Sequence, residues 1–123
     1  MTRKVLLITD DNNLRQFVEI SAMTLTKLNC QTEINTCTDA GRAEKLSGEE
    51  NLDLILLDLD LNIFSPMQFL KDVRQSEKSK SKKIIAFSVD TGKINKQEIF
   101  DSGCDSIMSK DELRALLNNL LQY

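Results

Sequence analysis

The chain has 123 residues, 41% hydrophobic and 28% charged, which suits one domain with a real core and a solvated surface. A formal net charge of −3 does not favour phosphate backbones and argues against a nucleic-acid partner. Histidine is absent, which removes Ser/His and Cys/His catalysis, histidine metal sites and a histidine phosphocarrier role.

The N-terminus, MTRKVLLITDD, lacks the apolar region and cleavage site of a signal peptide. Apolar runs of four residues or fewer are too short to span a membrane. Val5 to Ile8 reads as a short strand ending at Thr9-Asp10-Asp11. Asn12 and Asn13 look like a turn or cap, and Leu14, Phe17, Val18, Ser21, Leu25 and Leu28 give helical spacing over residues 12–28. Thr32, Ile34 and Thr36 alternate like a strand, and Thr38 or Asp39 is a candidate cap for a short helix ending near Ser47-Gly48. LDLILLD, residues 52–58, is a continuous apolar run typical of a strand covered on both faces. Ser65-Pro66 is a strong helix start, followed by the apolar positions Phe69, Leu70 and Val73. SEKSKSKK, residues 76–83, reads as a solvated helix end and loop, with a docking patch for an acidic partner as the sharper alternative. Ile84 to Phe87 is another buried-type strand ending at Ser88; residues 93–102 make a weak helix stopping near Gly103. Ser106 to Ser109 is a last strand, and Leu113, Leu116, Leu117, Leu120 and Leu121 form a helical stripe of the kind used for core packing.

The order is βα repeated five times. Fully apolar strands alternating with helices predict an α/β domain: a five-stranded parallel sheet with helices on both faces, spanning residues 1–123. Cys30, Cys37 and Cys104 are odd in number without CxxC spacing, so neither disulfides nor a zinc site is expected and a reducing cytoplasm fits. Met1 and the full final helix favour a complete chain.

In such a fold, ligand chemistry sits beyond the carboxyl ends of the strands. Those ends carry Asp10 and Asp11, then Asp58 with Asp60, then Ser88, and finally Lys110. Clustered carboxylates repel, so a divalent cation is a natural neutraliser, and few hard oxygen ligands suit Mg²⁺. A carboxylate beside Mg²⁺ can take a phosphoryl group, a lysine can neutralise phosphoryl oxygens, and a serine hydroxyl can donate to one. A metal and a lysine would thus offset the charge of Asp58 at the end of its buried strand.

LLITDD, LILLD, IIAFS and IMSK, in that order and each at a strand end, resemble a receiver domain of two-component signalling, of the stand-alone kind typified by chemotaxis regulators. The resemblance covers essentially the whole chain. It implies a (βα)5 flavodoxin-like fold, with Asp58 as phospho-acceptor, Asp10 and Asp11 as metal-binding acids, and the Asp60 backbone carbonyl completing the Mg²⁺ shell. Ser88 matches the switch hydroxyl and Lys110 the family's lysine. A histidine kinase or phosphotransfer protein would be the donor and a further protein the target. The domain would not be an enzyme beyond catalysing its own phosphorylation and dephosphorylation.

The sequence departs from that pattern in places. Asn62 and Asp111 stand where prolines are usual, so the Lys110-Asp111 peptide is open to being trans and Lys110 to being placed differently. Pro66 stands where glycine often opens the third helix. Ser109 and Glu112 could form a capping box, and Ile107 replaces an aromatic switch residue. Val89 is bulkier than the usual small residue and is expected to narrow access to the phosphate. Asp60 and Asp90 are expected to flank the phosphoryl group and alter its lifetime. The alternatives are a degenerate receiver acting as a phosphorylation-independent interaction module, and a phosphatase, since Asp58-Leu59-Asp60 resembles the DxD of haloacid-dehalogenase-type enzymes. In that family the DxD ends the first strand and the metal acids come last, the reverse of the order here. No GxGxxG or Walker loop supports nucleotide binding.

Overall fold

The computed structural model describes residues 3–28 and 31–122; Cys30 lies outside them. Elements alternate along the chain: β1 (Arg3–Ile8), α1 (Asn12–Lys27), β2 (Thr32–Cys37), α2 (Ala40–Ser47), β3 (Leu52–Asp58), α3 (Pro66–Gln75), β4 (Lys83–Ser88), α4 (Lys96–Ser102), β5 (Ser106–Ser109) and α5 (Lys110–Gln122). The strands form one parallel sheet in the order β2-β1-β3-β4-β5.

Side chains of a strand alternate between faces, and this splits the core in two. Val5 and Leu7 of β1, Leu54 and Leu56 of β3, and Ile85 and Phe87 of β4 pack against Leu14 and Val18 of α1 and Leu113, Leu117 and Leu121 of α5. Leu6, Ile8, Ile55, Leu57, Ile84 and Ala86 face the other way, onto Ala43 of α2, Phe69, Leu70 and Val73 of α3, and Ile99 of α4. Each apolar run is buried because both of its faces are covered.

Caps fix where the helices begin. Asp11, Asp39, Ser65 and Asn95 each accept a hydrogen bond from the backbone N–H three residues on. The helix expected over residues 93–102 is divided. Asp90 caps a 3₁₀ turn at Thr91–Lys93, and Asn95 starts α4 afresh, so two caps compete for one short stretch. Segment 76–83 is the solvated helix end and loop expected, with Ser79 its one buried residue. Ser79 donates to Val73 O, and Lys82 Nζ reaches the carbonyls of Glu50 and Leu52.

Arg74 closes the far end of the sheet. It donates from Nε to Gly103 O (2.7 Å), from Nη1 to Lys80 O and Lys82 O (2.9 and 2.6 Å), and from Nη2 to Asp105 (3.1 Å). Gly103 has φ +125°, the left-handed region open to glycine. Cys37 and Cys104 are free and buried, and burial pushes the Cys104 thiol up to about 11, which makes it inert. No helix among the described residues is long and apolar enough to cross a membrane.

Candidate functional site

Strand order reverses between β1 and β3, and in a parallel sheet a crevice opens there beyond the carboxyl ends. Asp58, the last residue of β3, sits at that point with 0% exposure. Its Oδ1 accepts the Asp60 N–H at 2.9 Å, and its Oδ2 accepts the Thr9 hydroxyl at 2.6 Å. Lys110 Nζ lies 3.5 Å from the same Oδ2, 3.2 Å from Asp11 Oδ2 and 3.9 Å from Asp60 Oδ2, and its side chain is only 12% exposed. The ammonium therefore ties together three carboxylates, one from the β1–α1 loop and two from the end of β3 and the loop after it.

Lys110 reaches this position from the first turn of α5. That start is fixed by a reciprocal capping box in which Glu112 N–H donates to Ser109 Oγ and Ser109 N–H donates to Glu112 Oε1, both at 3.1 Å. No peptide bond among the described residues is cis, so the Lys110-Asp111 bond is trans. Asp11 serves twice, capping α1 through Oδ1 to Leu14 N–H and pairing with Lys110 through Oδ2. Asp10 is exposed and accepts a long bond from Asn62 N–H, 3.4 Å.

The electrostatics follow from burial. Desolvation pushes the Asp58 carboxyl above its usual range, against the Thr9 hydroxyl, the Asp60 amide and the Lys110 charge. The Leu14 amide holds Asp11 below the usual range, with Lys110 adding to the effect over partial burial. Burial works against the Lys110 ammonium, but Asp58, Asp11 and Asp60 outweigh it and raise its pKa. Three acids, Asp11, Asp58 and Asp60, share this one ammonium, so the crevice keeps an excess of negative charge. No three His, Cys, Asp or Glu side chains among the described residues close round one ion position. Carboxylates are hard oxygen donors of the kind that suit a divalent cation.

The model of the family described as response regulator receiver domain matches residues 5–122. The chain belongs to that family. Similar solved structures include the chemotaxis protein CheY4 of Vibrio cholerae, 24% identical, covering 99% of this chain and 98% of that one, TM-score 0.79. The receiver domain of a sensor histidine kinase from Pseudomonas aeruginosa PAO1, with a magnesium ion in its active-site cleft, is 20% identical over 99% and 96% of the chains, TM-score 0.81. The phosphorylated cyanobacterial phytochrome response regulator RcpA is 17% identical over 98% and 91%, TM-score 0.79. Comparison with curated proteins gives no match.

Within this receiver domain the residues singled out from the sequence lie together, with two adjustments. The Asp60 side chain is turned onto the β4–α4 connection, its Oδ1 accepting the Ser88 hydroxyl and its Oδ2 the Val89 N–H, both at 2.8 Å. Asp90, expected to flank the phosphoryl group, has its carboxylate on Gly92 N–H (3.0 Å), while its own amide reaches Ser88 Oγ (3.4 Å). Val89 is 69% exposed, and its amide is held by Asp60. Ile107 packs against the α2–α4 side of the core. Thr9 was not anticipated. Its signal lay in register: Ile8 pairs with Leu57, so the next residues, Thr9 and Asp58, emerge side by side with the same parity as Val5, Leu7, Leu54 and Leu56.

Proposed function

We propose that residues 1–123 act as one cytoplasmic signalling receiver. It takes a phosphoryl group on Asp58 from a histidine kinase or phosphotransfer protein and then changes its affinity for a target protein. The observation that carries this reading is a fully buried carboxylate at the sheet's switch point, facing a nearly buried ammonium at 3.5 Å. Asp10, Asp11, Asp58 and the Asp60 backbone carbonyl would hold Mg²⁺, whose bound charge would offset that of the incoming phosphoryl oxygens.

Asp58 supplies the nucleophilic oxygen, kept in place by the Asp60 amide and the Thr9 hydroxyl. Lys110 meets the incoming charge of about −1.5 to −2. Ser88 and Val89 present a hydroxyl and an amide, at present both spent on the Asp60 carboxylate. That carboxylate acts as an internal stand-in for a phosphoryl group. Once Asp58 is phosphorylated, the two anions compete for the same donors, and the loop after β4 shifts with the outcome. The face made by α4, β5 and α5 would carry the change to the target.

The occupied donors also favour a second reading, a receiver that binds its partner without phosphorylation. One experiment separates the two: intact-protein mass after incubation with acetyl phosphate and Mg²⁺, beside Asp58→Asn and a sample without Mg²⁺. We expect one added phosphoryl group, lost in both controls. No added mass in any condition would replace the first reading with the second, and mass gained by Asp58→Asn would move the acceptor to Asp60.

A further inference from the structure

Thr9 makes the shortest contact that Asp58 has, at 2.6 Å, and is itself buried. The direction of that contact is set from behind. Asp11 N–H donates to Thr9 Oγ1 at 3.0 Å, and an amide can only donate, so the hydroxyl proton is left to point at the Asp58 carboxylate. A short chain thus runs from the Asp11 amide through the Thr9 hydroxyl to Asp58 Oδ2. Ile8 pairs with Leu57, so Thr9 and Asp58 follow side by side from β1 and β3.

We propose that Thr9 is a positioning residue that sets how readily Asp58 gives up a phosphoryl group. This deepens the reading of Asp58 as acceptor and rests on it. In phosphorylation, an Asp58 oxygen forms a bond to phosphorus as the donor's bond to phosphorus breaks. The leaving atom, the imidazole nitrogen of a phosphohistidine or the acetate oxygen of acetyl phosphate, departs with the electron pair. In the return step, a water oxygen bonds to phosphorus, the Asp58 O–P bond breaks, and Asp58 leaves as a carboxylate with the pair. The water proton passes to the phosphate or to solvent. The carboxylate spreads a full negative charge over its two oxygens. In the mixed anhydride, neither the bridging oxygen nor the remaining carbonyl oxygen holds as much. A hydroxyl aimed at Oδ2 therefore favours the carboxylate over the anhydride, whichever oxygen carried the phosphorus. Thr9 makes Asp58 a better leaving group and shortens the life of the phosphorylated state.

The test compares the wild type with Thr9→Val, which keeps the shape and loses the hydroxyl, and Thr9→Ser, which keeps the donor. Each is phosphorylated with acetyl phosphate and Mg²⁺, freed of donor, and followed by intact mass over time, with a thermal melt as a check on folding. We expect Thr9→Val to hold its phosphoryl group about five- to tenfold longer, and Thr9→Ser to stay within about twofold of the wild type. A merely structural bond would lower the melting temperature without lengthening the lifetime. A wild-type or shorter lifetime in Thr9→Val, or a Thr9→Ser that behaves like Thr9→Val, overturns the inference. Should Thr9→Val not fold, Thr9→Ala is read by the same criteria. A wild type that never gains the mass removes the acceptor reading, and this inference falls with it. A phosphorylated wild type with an unchanged Thr9→Val removes this inference alone.

Discussion

Among the described residues Asp58 is the only charged side chain in the buried class, and neutralising it should stabilise the metal-free protein. Asp58→Asn keeps the shape and removes the charge. Burying a carboxylate costs several kcal/mol, which attraction to a single neighbour only partly offsets. Deleting one member of a buried pair usually strands the other, but Lys110 would keep Asp11 at 3.2 Å and Asp60 at 3.9 Å. The expected net gain is about 1–2 kcal/mol at neutral pH. At about 4 °C per kcal/mol, this should be plain in a melt. The pH dependence has a definite sign. Burial raises the Asp58 carboxyl above its usual range, so the folded protein binds that proton more tightly than the unfolded chain. The destabilisation is absent below the unfolded pKa, grows as pH rises from there to the raised folded value, and is complete above it. Urea unfolding of both proteins in EDTA, at neutral pH and at about pH 3.5, should show their difference shrinking at the lower pH. An Asn variant less stable than the wild type at neutral pH would refute the reasoning. The bonds from Thr9, Asp60 and Lys110 to the carboxylate would then together exceed the cost of burial.

Two further outcomes are expected. Asp60→Asn weakens the hold on Ser88 and Val89, so occupancy at limiting acetyl phosphate should rise by about three- to tenfold by intact mass; unchanged occupancy would show that Asp60 does not compete. Gly103→Ala would place a Cβ 2.4 Å from Arg74 Cγ at φ +125°, and the melt should report a loss of about 2–4 kcal/mol, while a loss below about 1 kcal/mol would mean that Arg74 moves aside at little cost.

Where the sequence was legible, one local rule acted alone. LDLILLD is apolar at every position a doubly covered strand requires, and it forms β3 over the whole run. Ser65-Pro66 carries the two residues that start a helix, and α3 starts there. Ser109 and Glu112 bear the spacing of a capping box, and both of its bonds form. The reading failed where two local signals competed or where side chains chose partners across the sheet. Asp90 and Asn95 each cap, so the helix drawn from residue 93 became a 3₁₀ turn and a shorter α4. Asp60 turns toward Ser88 and the Val89 amide, and Asp90 toward the Gly92 amide of its own turn. Nothing in the spacing of either acid ranks those amides. Thr9 looked like the end of a strand because its partner is 49 positions away.

Without an aromatic at Ile107, the change at Asp58 needs another route outward, and the β4–α4 connection offers one. Val89 and Asp90 are exposed, the 3₁₀ turn buries no side chain, and α4 buries only Ile99 and Ser102. This stretch is held less by packing than by polar contacts: Ser88 and Val89 on Asp60, Asp90 on Gly92, Asn95 on Glu98. The Asp60 contacts are the ones a phosphoryl group would disturb, since the carboxylates of Asp58 and Asp60 already share the Lys110 ammonium. Two unit charges about 5 Å apart at an effective dielectric constant near 20 repel by about 3 kcal/mol. A bias of a few kcal/mol is what reverses a two-state equilibrium. Repulsion between a phosphorylated Asp58 and Asp60 is therefore of the right size to release Ser88 and Val89. Asp90, which caps the 3₁₀ turn, follows Val89 directly in the chain, so a shift of Ser88 and Val89 would reach α4 through the backbone without any ring having to rotate.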